Sequence, residues 1–530
     1  MITRIAIENF KGIGERVELP IRPLTLLFGP NSAGKSTILH AFHYAREIFE
    51  RHNLDAGHTI AGGDFIDLGG FRNFFHNHKP DPARPLRIRL DVDLGDVDLP
   101  EYSPGELYTS IFDVPWQQEL KAASAEVTIA WDDLRGRPFV KTYEVGLNGQ
   151  IIGRIEAEKA NVVLKSFDFG HPVFMRPAEG VQAEAADRYV PIEVLRERAL
   201  ENLELGQESL FYLEQRDALP SCDRPLQVYL GDPTKVRPGY DAKAENVAEQ
   251  REFLNVLSQV FVGIAEVMRG QLQRFCYLGP LRQTPPREYA PPRFPDPSRW
   301  ATGLGAWDAL YAGGDALLSE VNVWLGKEFC LDTGYTVRRK EHLMLDPDEP
   351  LYASLASHRA FDEIEDLAQE LHGLPHRREL VLTDRAGLLL AIQDVGEGIA
   401  QVLPVVVAAL LPDAAVVQIE QPELHLHPKQ QAAVGDLLIR GALGNPRKPI
   451  IAETHSEHLI LRVLRRIRET TRGEQTPMGL PVTPKDLAVY YVQAAGGQTG
   501  VVQIDVDDSG EFVQPWPDDF FEIDFYERFS

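Results

Sequence analysis

Gly29-Pro30-Asn31-Ser32-Ala33-Gly34-Lys35-Ser36, with Thr37 next, is the stretch that decides the fold. It stands between a β-like run, Thr25-Leu26-Leu27-Phe28, and a helix-like run that begins at Thr37. Gly29 and Gly34 let the backbone curl so that successive N–H groups, from Asn31 to Gly34, face a single anion. Lys35 is placed to reach the β and γ phosphates, and the Ser36 hydroxyl is placed to ligate Mg²⁺. The strand before and the helix after give such a loop its meaning, so the chain reads as binding a nucleoside triphosphate.

The 530 residues, 44% of them hydrophobic, suffice for a large core and roughly two to four domains. A formal charge of −25 argues against a surface that coats nucleic acid, because phosphate binding depends on clustered Lys and Arg. Cys222, Cys276 and Cys330 lie far apart without metal-ligand spacing and are expected as buried thiols of a cytoplasmic protein. Met1-Ile2-Thr3-Arg4-Ile5-Ala6-Ile7 alternates like an edge strand and lacks the layout of a signal peptide. The longest apolar stretch, Val402 to Leu411, is interrupted by Pro404 and falls short of the about 20 residues a bilayer span needs. A buried core helix is expected there, and no membrane.

Residues up to about 95 read as strands plus the loop and its helix, closing on the alternating run Leu86 to Asp93. Gly62 to Phe71 is a glycine-rich turn segment. Short β-like runs follow, such as Ala125 to Trp131, and then helical patterns over 193–216 and 244–275. Neither helical pattern sustains the heptads of a long coiled coil. Pro285 to Pro297 must be loop or extended chain.

A second cluster lies far along the chain. Gly396 and Gly398 open the helical run after Asp394-Val395, presenting free N–H groups at the positive end of a helix dipole, which suits a γ-phosphate. Val416-Val417-Gln418-Ile419-Glu420 reads as a buried strand ending in a carboxylate, the usual Mg²⁺-water ligand beside a phosphate loop. Gln421-Pro422-Glu423-Leu424-His425-Leu426-His427 follows; its two histidines tempt a metal reading, but no further ligand cluster stands nearby. The strand Ile450-Ile451-Ala452-Glu453 leads to Thr454 and His455, polar residues at a strand tip that faces a nucleotide crevice.

Taken together, these residues resemble the ABC type of P-loop ATPase, in the branch of RecF, the SMC proteins and the OLD nucleases. The phrases Glu420 to Pro428 and Glu453 to His458 are similar to a prokaryotic subgroup of AAA-annotated ATPases with a C-terminal tail domain of unknown function, as is Trp516 to Phe521. The resemblance implies an α/β fold: an ABC-type head, a mostly parallel sheet with helices, interrupted by an α+β insertion lobe. The expected division is 1–95 for the N-terminal part of the head, 96–375 for the insertion, 376–495 for the rest of the head and 496–530 for the tail. ATP and Mg²⁺ are the implied cofactors. Gly29 to Thr37 and Lys11 would hold the nucleotide, and Ser36 and Glu420 the metal. Gly396 and Gly398 would meet the γ-phosphate of a partner's ATP in a homodimer or higher homo-oligomer, and His455 would be the switch histidine. Gln421 stands where most relatives have the catalytic glutamate. A neutral amide positions a water but cannot take its proton, so slow hydrolysis is expected, with Glu423 the other base candidate.

Two functions follow from the resemblance: an ATP-driven switch for a separately encoded nuclease or toxin in anti-phage defence, and a RecF- or SMC-like ATPase that closes on DNA. Arg462, Arg465, Arg466 and Arg468 on one helix are read as a solvated face before a nucleic-acid contact. Gly279-Pro280-Leu281-Arg282, with Arg287, reads as a structural turn or as a contact to nucleotide or partner alike. Asp508-Ser509-Gly510 reads as a turn and not as part of a two-metal nuclease. Phe71, Phe74 and Phe75 are read as core before any coupling of the lobe to the phosphate.

Overall fold

The computed structural model describes residues 1–95, 97–102, 120–158, 161–174, 191–201, 211–230, 237–239, 245–348, 350–356 and 371–517. Leu24–Phe28 (β1) is buried at every position, as is Val416–Glu420, the pattern of strands covered on both faces. With Phe275–Leu278 (β2), Val416–Glu420 (β3), Ile450–Glu453 (β4), Leu487–Ala495 (β5) and Gln498–Ile504 (β6), β1 builds one sheet. Among the described residues its order is β2-β3-β4-β1-β5-β6. Neighbours run parallel except in the β5–β6 hairpin. Glu420 lies level with Glu453, and Glu453 with Leu27, so the phosphate loop and both carboxylates leave the same edge of the sheet.

Successive side chains of a strand point to opposite faces. Leu27, Val416, Ile451 and Tyr490 join a core with the helix Lys35–Arg51 (α1) and a large antiparallel sheet. Leu24, Leu26, Phe28, Val417 and Ile419 join the other core, built with the helices Glu397–Leu410 (α2), Pro428–Leu443 (α3) and Glu457–Thr471 (α4). In α4 the Ser456 hydroxyl accepts from the Leu459 N–H at 3.1 Å and starts the helix. Leu459, Ile460, Val463, Leu464 and Ile467 then form its buried stripe. The apolar run expected as a core helix is α2, fully buried from Val402 onward.

The antiparallel sheet, nine strands among the described residues, runs in space 228–229, 211–213, 161–167, 150–158, 137–147, 122–132, 86–93, 2–8 and 17–20. Its first strand in sequence, Ile2–Glu8, pairs with both Val17–Pro20 and Leu86–Asp93, which corrects the expectation of an edge strand. Ile5, Ala6 and Ile7 are buried in succession, so both faces of the strand are covered there. The helical pattern over 193–216 is a helix only over Ile192–Ala199, and Phe211–Leu213 is a strand. Residues 202–210, 244 and 518–521 of the other patterns lie outside the described residues.

Val247–Gln273 is long and apolar enough to cross a membrane, a feature that a search for one unbroken apolar run misses. In the fold, Phe253, Leu257, Phe261 and Met268 on it are fully buried in the core. β2 lies within the stretch expected as insertion, yet it is a strand of the parallel sheet beside β3.

Candidate functional site

The loop between β1 and α1 takes its shape from left-handed residues: Gly29 at φ 142°, Ser32 at 63° and Gly34 at 104°. A Cβ at Gly29 would overlap the Val492 carbonyl of β5, and one at Gly34 the Thr499 hydroxyl of β6. Both glycines are therefore required by the C-terminal hairpin as well as by the curl of the loop. Asn31 and Ser32 are exposed at the loop tip, and Ala33 is buried. Lys35 is 3% exposed, and its Nζ donates to the Gly29 and Pro30 carbonyls at 3.0 Å each.

Opposite the loop stands Glu453, which the sequence reading treated only as the end of a strand. The Ser36 hydroxyl donates to its Oε2 at 3.0 Å, and Lys35 Nζ lies 3.6 Å from its Oε1. Glu420, one strand over, accepts from the Tyr277 hydroxyl at 2.8 Å. Burial and then the Glu453 carboxylate push Glu420 up to about 7, against the pull of Tyr277, Arg282 and Lys35. Two such carboxylates beside a serine hydroxyl form a set of hard oxygen donors. That set suits Mg²⁺, which usually takes one or two carboxylates together with substrate phosphates.

Gln421 sits at φ 45°, with its N–H donating to the Glu453 carbonyl at 2.7 Å. Glu423 is 9% exposed and uses both oxygens: Oε2 accepts from the Thr454 hydroxyl and Oε1 from the His455 N–H, each at 2.8 Å. It therefore braces the loop that carries His455. Burial and then Lys35 hold the His455 imidazole below its ordinary range, and its Nε2 is buried without a hydrogen-bond partner. A neutral ring with a buried free nitrogen is ready for a ligand's polar atom.

Gly396 is the exposed residue before α2, and Gly398 lies in its first turn, where a Cβ would stand 3.3 Å from the His425 carbonyl. Lys11, at φ 49°, meets His40 Nδ1 at 2.6 Å one turn along α1 from Ser36. Burial, against Asp67, brings the Lys11 ammonium down to about 8. The loop around Lys11 is held by the hairpin: Thr499 N–H donates to the Gly12 carbonyl at 2.8 Å. Trp516 packs edge-on against Phe28, the last residue before Gly29.

The arginines of α4 are engaged within the fold. Arg462 and Arg466 bond Asp436, Arg465 and Arg466 bond Glu469, and Arg468 meets Glu511 and the Ser509 and Gly510 carbonyls. Asp508-Ser509-Gly510 is a turn held by Asp507 Oδ1, which accepts from the Ser509 and Glu511 N–H groups. His427 starts α3, its Nδ1 accepting from the Lys429 N–H. Phe71, Phe74 and Phe75 are buried in the core. Cys276 and Cys330 are buried thiols, and Cys222 is half-buried.

Residues 1–69 match a family described as "AAA ATPase domain", and residues 331–462 one described as "AAA domain, putative AbiEii toxin, Type IV TA system". Residues 482–522, which hold the β5–β6 hairpin and Trp516, match a protein family of unknown function, DUF3696. No curated protein matches the chain. Among solved structures the chain is similar to a Smc head domain with an extended coiled coil bound to the C-terminal domain of ScpA, derived from Pyrococcus furiosus. That likeness has 13% identity and a TM-score of 0.38, and covers 95% of this chain and 96% of that one. An SMC head domain from Thermotoga maritima is similar at 10% identity and TM-score 0.35, over 95% of this chain and 99% of that one. The two AAA matches fall on the two parts of the chain that build the carboxylate edge of the parallel sheet, so the likeness to AAA-type ATPases is carried by the residues that form it.

Proposed function

We propose that this protein binds and slowly hydrolyses ATP, dimerises around it, and serves as a switch or scaffold for a separately encoded effector in prokaryotic anti-phage defence. The observation that carries the ATP reading is the meeting of Lys35, Ser36, Glu420 and Glu453 at one sheet edge. Lys35 would exchange the Gly29 and Pro30 carbonyls for the β and γ phosphates. Ser36 and Glu420 would hold Mg²⁺, with Glu453 beside them; the ion, when bound, neutralises charge on the phosphates. His455 Nε2 would face the γ-phosphate side. Gln421 would orient the attacking water without taking its proton, which leaves turnover slow and the closed state long-lived. Gly396, exposed just before α2, and the half-buried Gly398 in its first turn would complete the site of a partner copy.

The defence reading is supported by the toxin–antitoxin wording of the family matched over 331–462. The pairing of the α4 arginines with Asp436, Glu469 and the 509–511 turn supports the defence reading over the DNA-closing alternative. Sedimentation of the purified chain with and without Mg²⁺-ATP tests the dimer, with the conversion from monomer to dimer expected only with nucleotide. Duplex DNA titrated over a salt series separates the two readings, since a backbone binder loses affinity steeply with salt.

A further inference from the structure

Arg282 follows β2 and is 4% exposed, yet its cation faces backbone carbonyls. Nη2 donates to the Glu420 carbonyl at 2.6 Å and the Gln421 carbonyl at 3.0 Å, and Nη1 to the Gln401 carbonyl at 3.3 Å. The Gln401 side chain returns the contact: Nε2 donates to the Arg282 carbonyl at 2.8 Å, and Oε1 accepts from the Arg282 N–H at 3.3 Å. Gly303, at φ 79°, brings a third segment against the pair; a Cβ there would stand 3.1 Å from Arg282 Cβ and 3.3 Å from Pro404 Cγ. One guanidinium thus ties the first turns of α2 to the end of β3. Gln421 occupies a left-handed conformation that a non-glycine residue adopts only when its surroundings hold it there. Its peptide is gripped on both sides, by the Glu453 carbonyl and by Arg282.

Taking a guanidinium out of water is expensive unless its bonds are well made, and the planar fork makes such bonds to several acceptors at once. A bridge of this kind moves α2 and the Gln421 peptide together. We propose that Arg282 is a positioning residue that couples the glycine-bearing start of α2 to the Gln421 peptide, so that nucleotide bound beside Lys35 is felt at the face offered to a partner copy. The proposal rests on the ATPase reading above, and it assigns the β2–Pro285 loop a role beyond that of a turn.

Hydrogen–deuterium exchange of the full chain, with and without Mg²⁺-ATP, tests it in wild type, Gln401→Ala and Arg282→Lys. In wild type both 395–403 and 416–424 should slow on binding. In the two variants 416–424 should still respond while 395–403 no longer does. Their kcat should fall about tenfold or more, with KM held within about threefold, the signature of lost positioning and not of lost binding. Gln401 is partly exposed, so that variant carries the test if Arg282→Lys fails to fold. A wild-type response at 395–403 in Gln401→Ala, or wild-type protein that binds Mg²⁺-ATP with no change at 395–403, would overturn the coupling. Wild-type protein that binds no Mg²⁺-ATP would instead overturn the ATPase reading beneath it.

Discussion

The Ser36 hydroxyl donates to Glu453 Oε2 across 3.0 Å, joining the phosphate loop to a strand end 417 positions later. The same carboxylate lies 3.6 Å from the Lys35 ammonium. Glu453 therefore organises the two side chains that a triphosphate and its metal would claim. Glu453→Gln keeps the shape and removes the charge. A hydrogen bond to a charged group contributes about 1.5–3 kcal/mol, so the Mg²⁺ concentration needed for ATP binding should rise about tenfold or more. A magnesium titration of fluorescent ATP-analogue binding reads this directly, and an unchanged titration would remove Glu453 from the metal's surroundings.

Glu420 gives the site a pH dependence whose sign is fixed by its environment. Burial and the neighbouring Glu453 raise it from an ordinary carboxylate to about 7. Its protonated form is the one favoured in the fold, so its contribution to stability is full below the unfolded value and is lost as the pH rises through about 7. Nucleotide-free protein should melt lower at about pH 8 than at about pH 6, and Glu420→Gln should flatten that slope. Mg²⁺-ATP should stabilise the wild type more at the higher pH, where the carboxylate is free to hold the ion. Thermal melts of both proteins across this range check the sign.

Gln421→Glu restores a carboxylate where an amide stands. General-base assistance is worth about 10²–10⁴ in rate, and turnover should rise by at least the lower figure. Glu423, the other base candidate, accepts from the Thr454 hydroxyl and the His455 N–H and so also holds the His455 loop. Steady-state turnover of Gln421→Glu and Glu423→Gln distinguishes them: the first should accelerate, and the second should lose activity by releasing the His455 loop. Equal rates in Gln421→Glu and wild type would mean that proton removal is not the slow step.

The C-terminal hairpin is packed onto the loop that carries Lys11. A Cβ at Gly12 would overlap the Thr499 hydroxyl while standing 3.4 Å from Thr499 Cβ. Gly12→Ala should destabilise the fold by about 1–3 kcal/mol, the usual range for overpacking. Gly12→Ala with Thr499→Ala should recover most of that loss in a denaturant titration. Additive losses in the double variant would show that the hairpin and this loop do not share the contact.

Asp436 is 1% exposed and holds Arg462 and Arg466 together between α3 and α4. Removing one partner of a buried ion pair destabilises by about 3–5 kcal/mol. Asp436→Ala should therefore lower the unfolding midpoint markedly, far more than Glu511→Ala, whose bond to Arg468 is mostly exposed. Similar midpoints for the two would contradict the structural role given to these arginines.

What the sequence made legible is what a few neighbouring residues determine. Gly29 to Ser36 declared itself because the curl, the lysine and the hydroxyl are adjacent, and Glu420 because it ends an apolar run. Glu453 ends a similar run, but its value comes from Ser36 and Lys35, far away in the chain. Arg282 could be read as turn or contact alike, since its acceptors Glu420 and Gln421 lie 138 and 139 positions on. Ile2–Glu8 reads as a strand from its own residues, yet only pairing with Val17–Pro20 and Leu86–Asp93 reveals that it is interior. Thr499 carried no signal at all, because what marks it is the space that Gly12 and Gly34 leave for it.

The most direct test of the central claim is Mg²⁺-dependent ATP turnover by the purified chain at several protein concentrations, beside Lys35→Ala. The account expects slow turnover that rises faster than linearly with concentration and vanishes in Lys35→Ala. Turnover strictly proportional to concentration, or surviving in Lys35→Ala, would contradict it.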